Sequence, residues 1–304
     1  MREVILSFLF STILLSVALT GQTVDSEKDD WKKVSGYFRY LRTERVDSLR
    51  KMINDSLVVH LERLLLAVRH PGAVPDTIPG LARSISDDKR VAIFVWNVQS
   101  MTGRHYYYGF LMHIHHKKSN LFRLTDRSAT MDSAEYRTLD HEHWFGALYN
   151  RVITIELPDG NNAYTLLGWS GEDFLVSRKV IDILSFSADG LPTFGMDIFT
   201  IPDRKGLTRI IYRYSAQTSM VLKYGNQVVS SRKKWNPGKR RFDEGQVVRG
   251  RIITADRLVP MDPLMEGQFR FYVPEGTVSD GFSFSGHRWI QIKDIESRNE
   301  KNRK

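Results

Sequence analysis

The chain contains no cysteine. That excludes disulfides, thiolate catalysis and cysteine-built zinc or iron–sulfur sites. A cysteine-free chain, if exported, must be held by its core alone, which is commoner among bacterial envelope proteins than among eukaryotic secreted ones. Beyond residue 21 no apolar run approaches the roughly 20 residues of a membrane-spanning helix. A phosphate-cradling glycine loop, a dinucleotide fingerprint and a His-Glu-x-x-His pair are also missing. Turn signals recur without a fixed period, so a regular propeller is not supported.

What is present describes a folded protein. Of 304 residues, 41% are hydrophobic and 26% charged, which is ordinary globular composition. The formal net charge of +9 favours anionic partners without choosing among them. Residues 1–21, "MREVILSFLFSTILLSVALTG", combine a basic start at Arg2, an apolar stretch and small residues at Ala18, Thr20 and Gly21. This reads as a secretory signal peptide, cut after Ala18 or Gly21. The expected location is the periplasm or cell surface.

The polar stretch 22–35 reads as loose. From about 46 to 68, Leu49, Met52, Ile53, Leu57, His60, Leu61, Leu64 and Val68 recur at steps of three and four, which predicts an amphipathic helix. "HPGAVPDTIPG" ends it, and His60 reads as a packed core histidine. After residue 85 almost every segment reads as a short strand. "VAIFVWNV" is apolar on both faces, and "HYYYGFLMHIHH" alternates, with His105, Tyr107, Leu111, His113 and His115 on what reads as its polar face. "SDDKR", "PDGNN", "SADG" and Ser279-Asp280-Gly281 read as turns. The expected fold is mainly β: an antiparallel meander, as a sandwich or an irregular propeller-like array, with an N-terminal amphipathic helix. The expected layout is a signal peptide at 1–21, a helical segment at 22–80, a β domain at 81–295 and a disordered tail at 296–304.

Four chemistries present themselves. His113 and His115 in "HIHH" are spaced to share a strand face, as are His141 and His143 in "DHEHW" if that segment is extended. Together they would supply four ligands for a metal-dependent hydrolase, with Glu142 or Asp140 as base. A polar strand face is the plainer reading. "GWSGE" has its second glycine one residue too early for a nucleophile elbow and lacks the strand–turn–helix context. Glu172, Asp173, Asp182, Asp197, Asp256 and Asp262 offer carboxylates for glycoside cleavage, but no pair stands out. The fourth is "SSRKKWNPGKRRFDEG", where Arg232, Lys233, Lys234, Lys239, Arg240 and Arg241 surround Trp235. It reads as an exposed basic loop. Trp144, Trp169 and Trp289 read as core.

From about residue 85 to 295 the chain resembles a family of exported proteins of Bacteroidota-type bacteria that has no established activity. The residues that carry the likeness are "SDDKRVAIFVWNV", "HWFGALYN", "YTLLGWSGEDFLVSRKVIDILSF", "PTFGMDIF", "RIIYRYSAQTSMVLKY" and "EGQFRFYVPEGTVSDGFSFSGHRW". "GALYN" departs from the aromatic pair expected after the leucine. The resemblance implies a compartment and a lineage. It implies no catalytic residues and does not extend to the histidines of "HIHH" or "DHEHW".

The sequence therefore points first to a non-enzymatic binding or structural protein of the envelope, with no cofactor. Its partner would be lipopolysaccharide, anionic lipid, an acidic glycan or another envelope protein, with no nucleic acid expected. The metal-dependent hydrolase is the alternative.

Overall fold

Neighbouring side chains of a strand point to opposite sheet faces, so a strand that is apolar at every position must be covered on both sides. That rule explains the architecture. The computed structural model describes residues 29–202, 204–231, 235–238, 240–242 and 247–297. The expected signal peptide, Arg232, Lys233, Lys234, Lys239 and the tail from 298 lie outside the described residues. The protein is mainly β, at 49% strand and 20% helix. It divides into two compact units, Met1–Leu81 and Ala82–Lys304.

The first unit holds two helices, α1 (residues 29–43) and α2 (Asp47–Ala67). Much of α1 falls in the stretch expected to be loose. Its buried residues Trp31, Val34 and Phe38 are spaced by three and four, enough for one helical stripe. In α2 the buried stripe is Leu57, Val58, Leu61, Leu64 and Leu65. Leu49 and Met52, expected on that stripe, are exposed. His60 is half-buried rather than a core residue, with its Nε2 3.7 Å from Asp30 Oδ1 and its ring 6.0 Å from that of Tyr37. Among the described residues no helix is long and apolar enough to cross a membrane.

The second unit is built from three sheets and a small hairpin. The first sheet runs in chain order through β1 (Ala82–Ile85), β2 (Val91–Gln99), β3 (His105–His115) and β4 (Lys118–Thr125), every pair antiparallel. The second contains β5 (Leu148–Glu156), β6 (Asn162–Gly171), β7 (Val176–Phe186), β8 (Pro192–Phe194) and β10 (Ile210–Ser215), in the order β10-β7-β6-β5 with β8 also on β7. The third contains β9 (Phe199–Thr200), β11 (Leu222–Ser231), β14 (Val247–Pro260), β15 (Tyr272–Ser285) and β16 (Arg288–Ser297). There β9 lies parallel to β16, and the end of β11 pairs back onto β16, closing four strands around Val229, Ile252, Ile292 and Ile295. Among the described residues β12 (Trp235–Asn236) and β13 (Arg241–Phe242) pair only with each other.

The second sheet is the middle layer of a three-sheet stack. On β6, Tyr164 and Leu166 pack with Ile93, Val95, Leu111 and Leu124 of the first sheet. Ala163 and Leu167 pack with Ile253, Phe282 and Trp289 of the third. On β7, Val180 and Leu184 face the first sheet while Ile181 and Ile183 face the third. Trp289 Nε1 also donates to Thr165 Oγ1 at 2.8 Å. This is why "AYTLLGW" and "RKVIDILSF" are apolar without alternation.

Two expectations are corrected here, and one strand is added to those expected. The face of β3 that carries Tyr107, Leu111 and His113 is not wet: Tyr107 and Leu111 belong to the inter-sheet core, and His113 is 3% exposed. Phe110 and Met112, on the opposite face, are buried as well. Residues 279–281 do not turn. They lie inside β15, where the register with β16 shifts between Ser279 and Gly281, so the polar triplet marks a bulge. β4 was not anticipated, because "KSNLFRLT" is polar at its start and joins β3 through His116 and Lys117, both at positive φ.

Candidate functional site

The "DHEHW" segment is neither a strand nor a metal half-site. It is a turn held by its own aspartate. Asp140 Oδ1 accepts from the backbone N–H groups of Glu142 (2.9 Å) and His143 (2.8 Å), and the His143 Nδ1 lies 2.8 Å from the same oxygen. This is the local side-chain-to-backbone closure that aspartate favours in turns. Partial burial raises the affinity of the Asp140 carboxyl for a proton. These hydrogen bonds outweigh it and hold the carboxyl below its ordinary range.

The turn is bolted to the β unit from both ends. On one side it runs beside the end of β4: Thr125 N donates to His141 O (2.8 Å), Trp144 N to Thr125 O (3.0 Å) and Arg127 N to Trp144 O (2.9 Å). Asp126 completes this side, its carboxylate accepting from Ser128 N, Gly146 N and Tyr107 N at 2.9, 3.1 and 3.3 Å. A Cβ at Gly146 would stand 2.6 Å from both the Asp126 carboxylate and Tyr107 Cβ, so this close approach requires glycine. On the other side Leu139 exchanges backbone hydrogen bonds with Phe194, at 2.8 and 2.7 Å.

Beneath the turn lies a fully buried polar network. Asp182 and Arg209 are both 0% exposed, with Arg209 Nε 3.1 Å from Asp182 Oδ2. Tyr149 donates its hydroxyl to that oxygen at 3.4 Å and accepts from Trp144 Nε1 at 3.3 Å. Burial, and then the Asp182 charge, push the Tyr149 phenol far above its ordinary value, so it stays protonated as the donor. Arg209 Nη1 donates to the carbonyls of Ala134 and Arg137. Thr208 Oγ1 also donates to Arg137 O, at 2.8 Å. An ion pair in the core thus fixes the backbone of residues 134–144.

On the surface above this network is a cleft of about 640 Å³, lined by Arg127, Thr130, Met131, Arg137, Leu139, Asp140 and His143 among others. Of the histidines considered as ligands, only His143 reaches it. His141 sets its ring edge against Phe122, centroids 5.3 Å apart. His113 stacks on Phe186 at 3.5 Å, and His115 lies 5.5 Å from His113. His113 pairs with Asn120, whereas the His141 carbonyl accepts from Thr125 N, five residues further along β4. Among the described residues no three histidine or acidic side chains converge as metal ligands. The four-histidine site is therefore a correction: a metal needs convergent ligands, and the fold draws these apart.

Ser170, the serine of "GWSGE", is buried inside β6 with no elbow. Trp144 and Trp289 are buried and Trp169 half-buried. In the basic stretch, the backbones of Trp235 and Phe242 face each other across the β12–β13 hairpin, and Arg240 and Arg241 are exposed. Sequence reasoning missed Arg127, Arg137 and Arg209. Single arginines carry no spacing signal, and only the tertiary fold gives them neighbours.

No family model, no curated protein and no solved structure matches this chain.

Proposed function

We propose that this chain is an exported, non-enzymatic binding protein of a bacterial cell envelope, which docks on an anionic lipid surface through the basic stretch of residues 230–245. The observation that carries the reading is the isolation of the β12–β13 hairpin within it. Among the described residues β12 and β13 pair with none of the three sheets, and Arg240 and Arg241 are solvent-exposed. Six cations within ten residues, Arg232 to Arg241, are more than a core-forming hairpin has use for. A cluster of like charge at this density complements phosphate-bearing headgroups. The net charge of +9 adds long-range attraction of the same sign. Export rests on the signal-like residues 1–21, and the periplasm or the cell surface is the proposed location.

Each lysine or arginine near an anionic bilayer contributes about 1 kcal/mol at moderate salt. Reversing four of them, Lys233→Glu, Lys234→Glu, Arg240→Glu and Arg241→Glu, is expected to weaken binding to vesicles containing phosphatidylglycerol at least 100-fold in co-sedimentation. Little binding to neutral phosphatidylcholine vesicles is expected from either protein. Unchanged binding by the reversed variant would remove the hairpin from the function. Retention on an acidic polysaccharide with no vesicle binding would move the partner from lipid to glycan.

A further inference from the structure

The cleft above the buried network is a second basic feature, built differently from the hairpin. Its two arginines come from separate segments: Arg127 follows β4, and Arg137 follows the short 3-10 turn Ala134–Tyr136. Several arginines of this unit pair with acids, whereas Arg127 and Arg137 are solvent-exposed. Arg213 is 3.1 Å from Glu135, Arg178 is 3.6 Å from Glu172, and Arg257 pairs with Asp280 and Asp294. Arg127 and Arg137 have none among the described residues. The acid of the cleft, Asp140, accepts through its Oδ1 from two backbone N–H groups and His143 Nδ1, and it is paired with neither arginine. The cleft therefore presents two guanidinium groups with no acid partner among the described residues.

The backbones carrying these groups are rigidly placed. The Arg137 carbonyl accepts from Arg209 and Thr208. The Arg127 N–H is bonded to Trp144 O, and its carbonyl accepts from Thr130 N at 3.1 Å. The planar fork of arginine matches carboxylate and phosphate oxygens in pairs. A volume of about 640 Å³ is that of a small-molecule site. Met131 and Leu139 on the wall supply apolar contact for a carbon framework.

We propose that the cleft between residues 127–131 and 137–143 is a binding site for a small molecule bearing two oxyanion groups, one held by Arg127 and the other by Arg137. The site is independent of the hairpin and would operate whether or not the hairpin touches lipid.

Titration calorimetry on the full chain at physiological ionic strength, with pyrophosphate and with citrate as probes, tests this and separates phosphate from carboxylate chemistry. Saturable one-to-one binding of at least one probe is expected. Arg127→Ala and Arg137→Ala should each weaken it about 10-fold or more, the cost of one charged hydrogen-bonding partner. Both side chains are exposed and without acid partners, and Arg137→Ala keeps the carbonyl that Arg209 uses, so melting temperatures should be unchanged. Arg123→Ala, an exposed arginine on β4 outside the cleft lining, should bind as the parent does. Absence of saturable binding by both probes, binding that survives the double Arg127→Ala, Arg137→Ala change, or an equal loss in Arg123→Ala would each overturn the proposal.

Discussion

Replacing Arg209 by methionine should destabilise the β unit by about 3–5 kcal/mol, because it strands a buried carboxylate. Asp182 is fully enclosed. Without the guanidinium its charge would keep only the Tyr149 hydroxyl and the backbone N–H of Ile183, at 3.4 and 2.9 Å. The carbonyls of Ala134 and Arg137 would lose their shared donor at the same time. For a domain of this size each kcal/mol moves the melting temperature by about 2–4 °C, so a fall of roughly 6–20 °C is expected by thermal denaturation. The informative partner is the double change Arg209→Met, Asp182→Leu. Removing both charges removes the desolvation cost along with the attraction, and most of the lost stability should return. A single variant that melts within about 2 °C of the parent would mean that solvent reaches the pair. A double variant no better than the single would mean that the carbonyl contacts, rather than the ion pair, matter most.

This network is also where sequence reasoning ran out. Asp182 was visible as one acid among several, and nothing in the chain singles out Arg209. The two lie 27 positions apart in the numbering, on β7 and just before β10, and their pairing is a consequence of strand order. Local chemistry, by contrast, was legible. Serine, aspartate and glycine close turns within a few residues, and the turns at 86–89, 157–160 and 187–190 each form a backbone hydrogen bond of 2.9–3.0 Å. The 3.6-residue period of α2 was legible for the same reason. The face of β3 was misassigned because alternation assumes one dry and one wet side. Here both sides are covered, so His113 and its neighbours were judged by polarity when burial was set by neighbouring layers. The short helix α1 failed the opposite way: its core stripe is only Trp31, Val34 and Phe38, diluted by surrounding charge. The turn of "DHEHW" had a local cause in Asp140, yet alternating polar residues mimic a strand closely enough to hide it.

The buried histidine of β3 yields the second large effect, a pH dependence. His113 is 3% exposed, lies flat on Phe186 at 3.5 Å, and its Nδ1 has no hydrogen-bond partner. Burial pushes its pKa down from 6.5 to about 4, against a hydrogen bond with the Gly190 backbone and with further downward pressure from the charges of His115 and Arg90. The folded state thus prefers the neutral ring. At pH 7 neither folded nor unfolded chain carries the proton. As pH falls through 6.5 the unfolded chain takes it up and the folded one does not, so stability drops by about 1.4 kcal/mol per pH unit. Near pH 4 the folded ring protonates too and the loss levels off, at a total of about 3 kcal/mol. Other histidines and carboxylates also titrate here, so the measurement is a difference. Urea unfolding of the parent and of His113→Leu would be compared at pH 7 and at pH 4.5. Leucine fills much of the same volume and brings no unpaired ring nitrogen, so the variant should be close to the parent at pH 7. At pH 4.5 the variant should be the more stable by about 2–3 kcal/mol relative to that baseline. Parallel pH profiles for the two proteins would mean that His113 takes its proton as readily inside the fold as outside it, and that the stack on Phe186 opens to water.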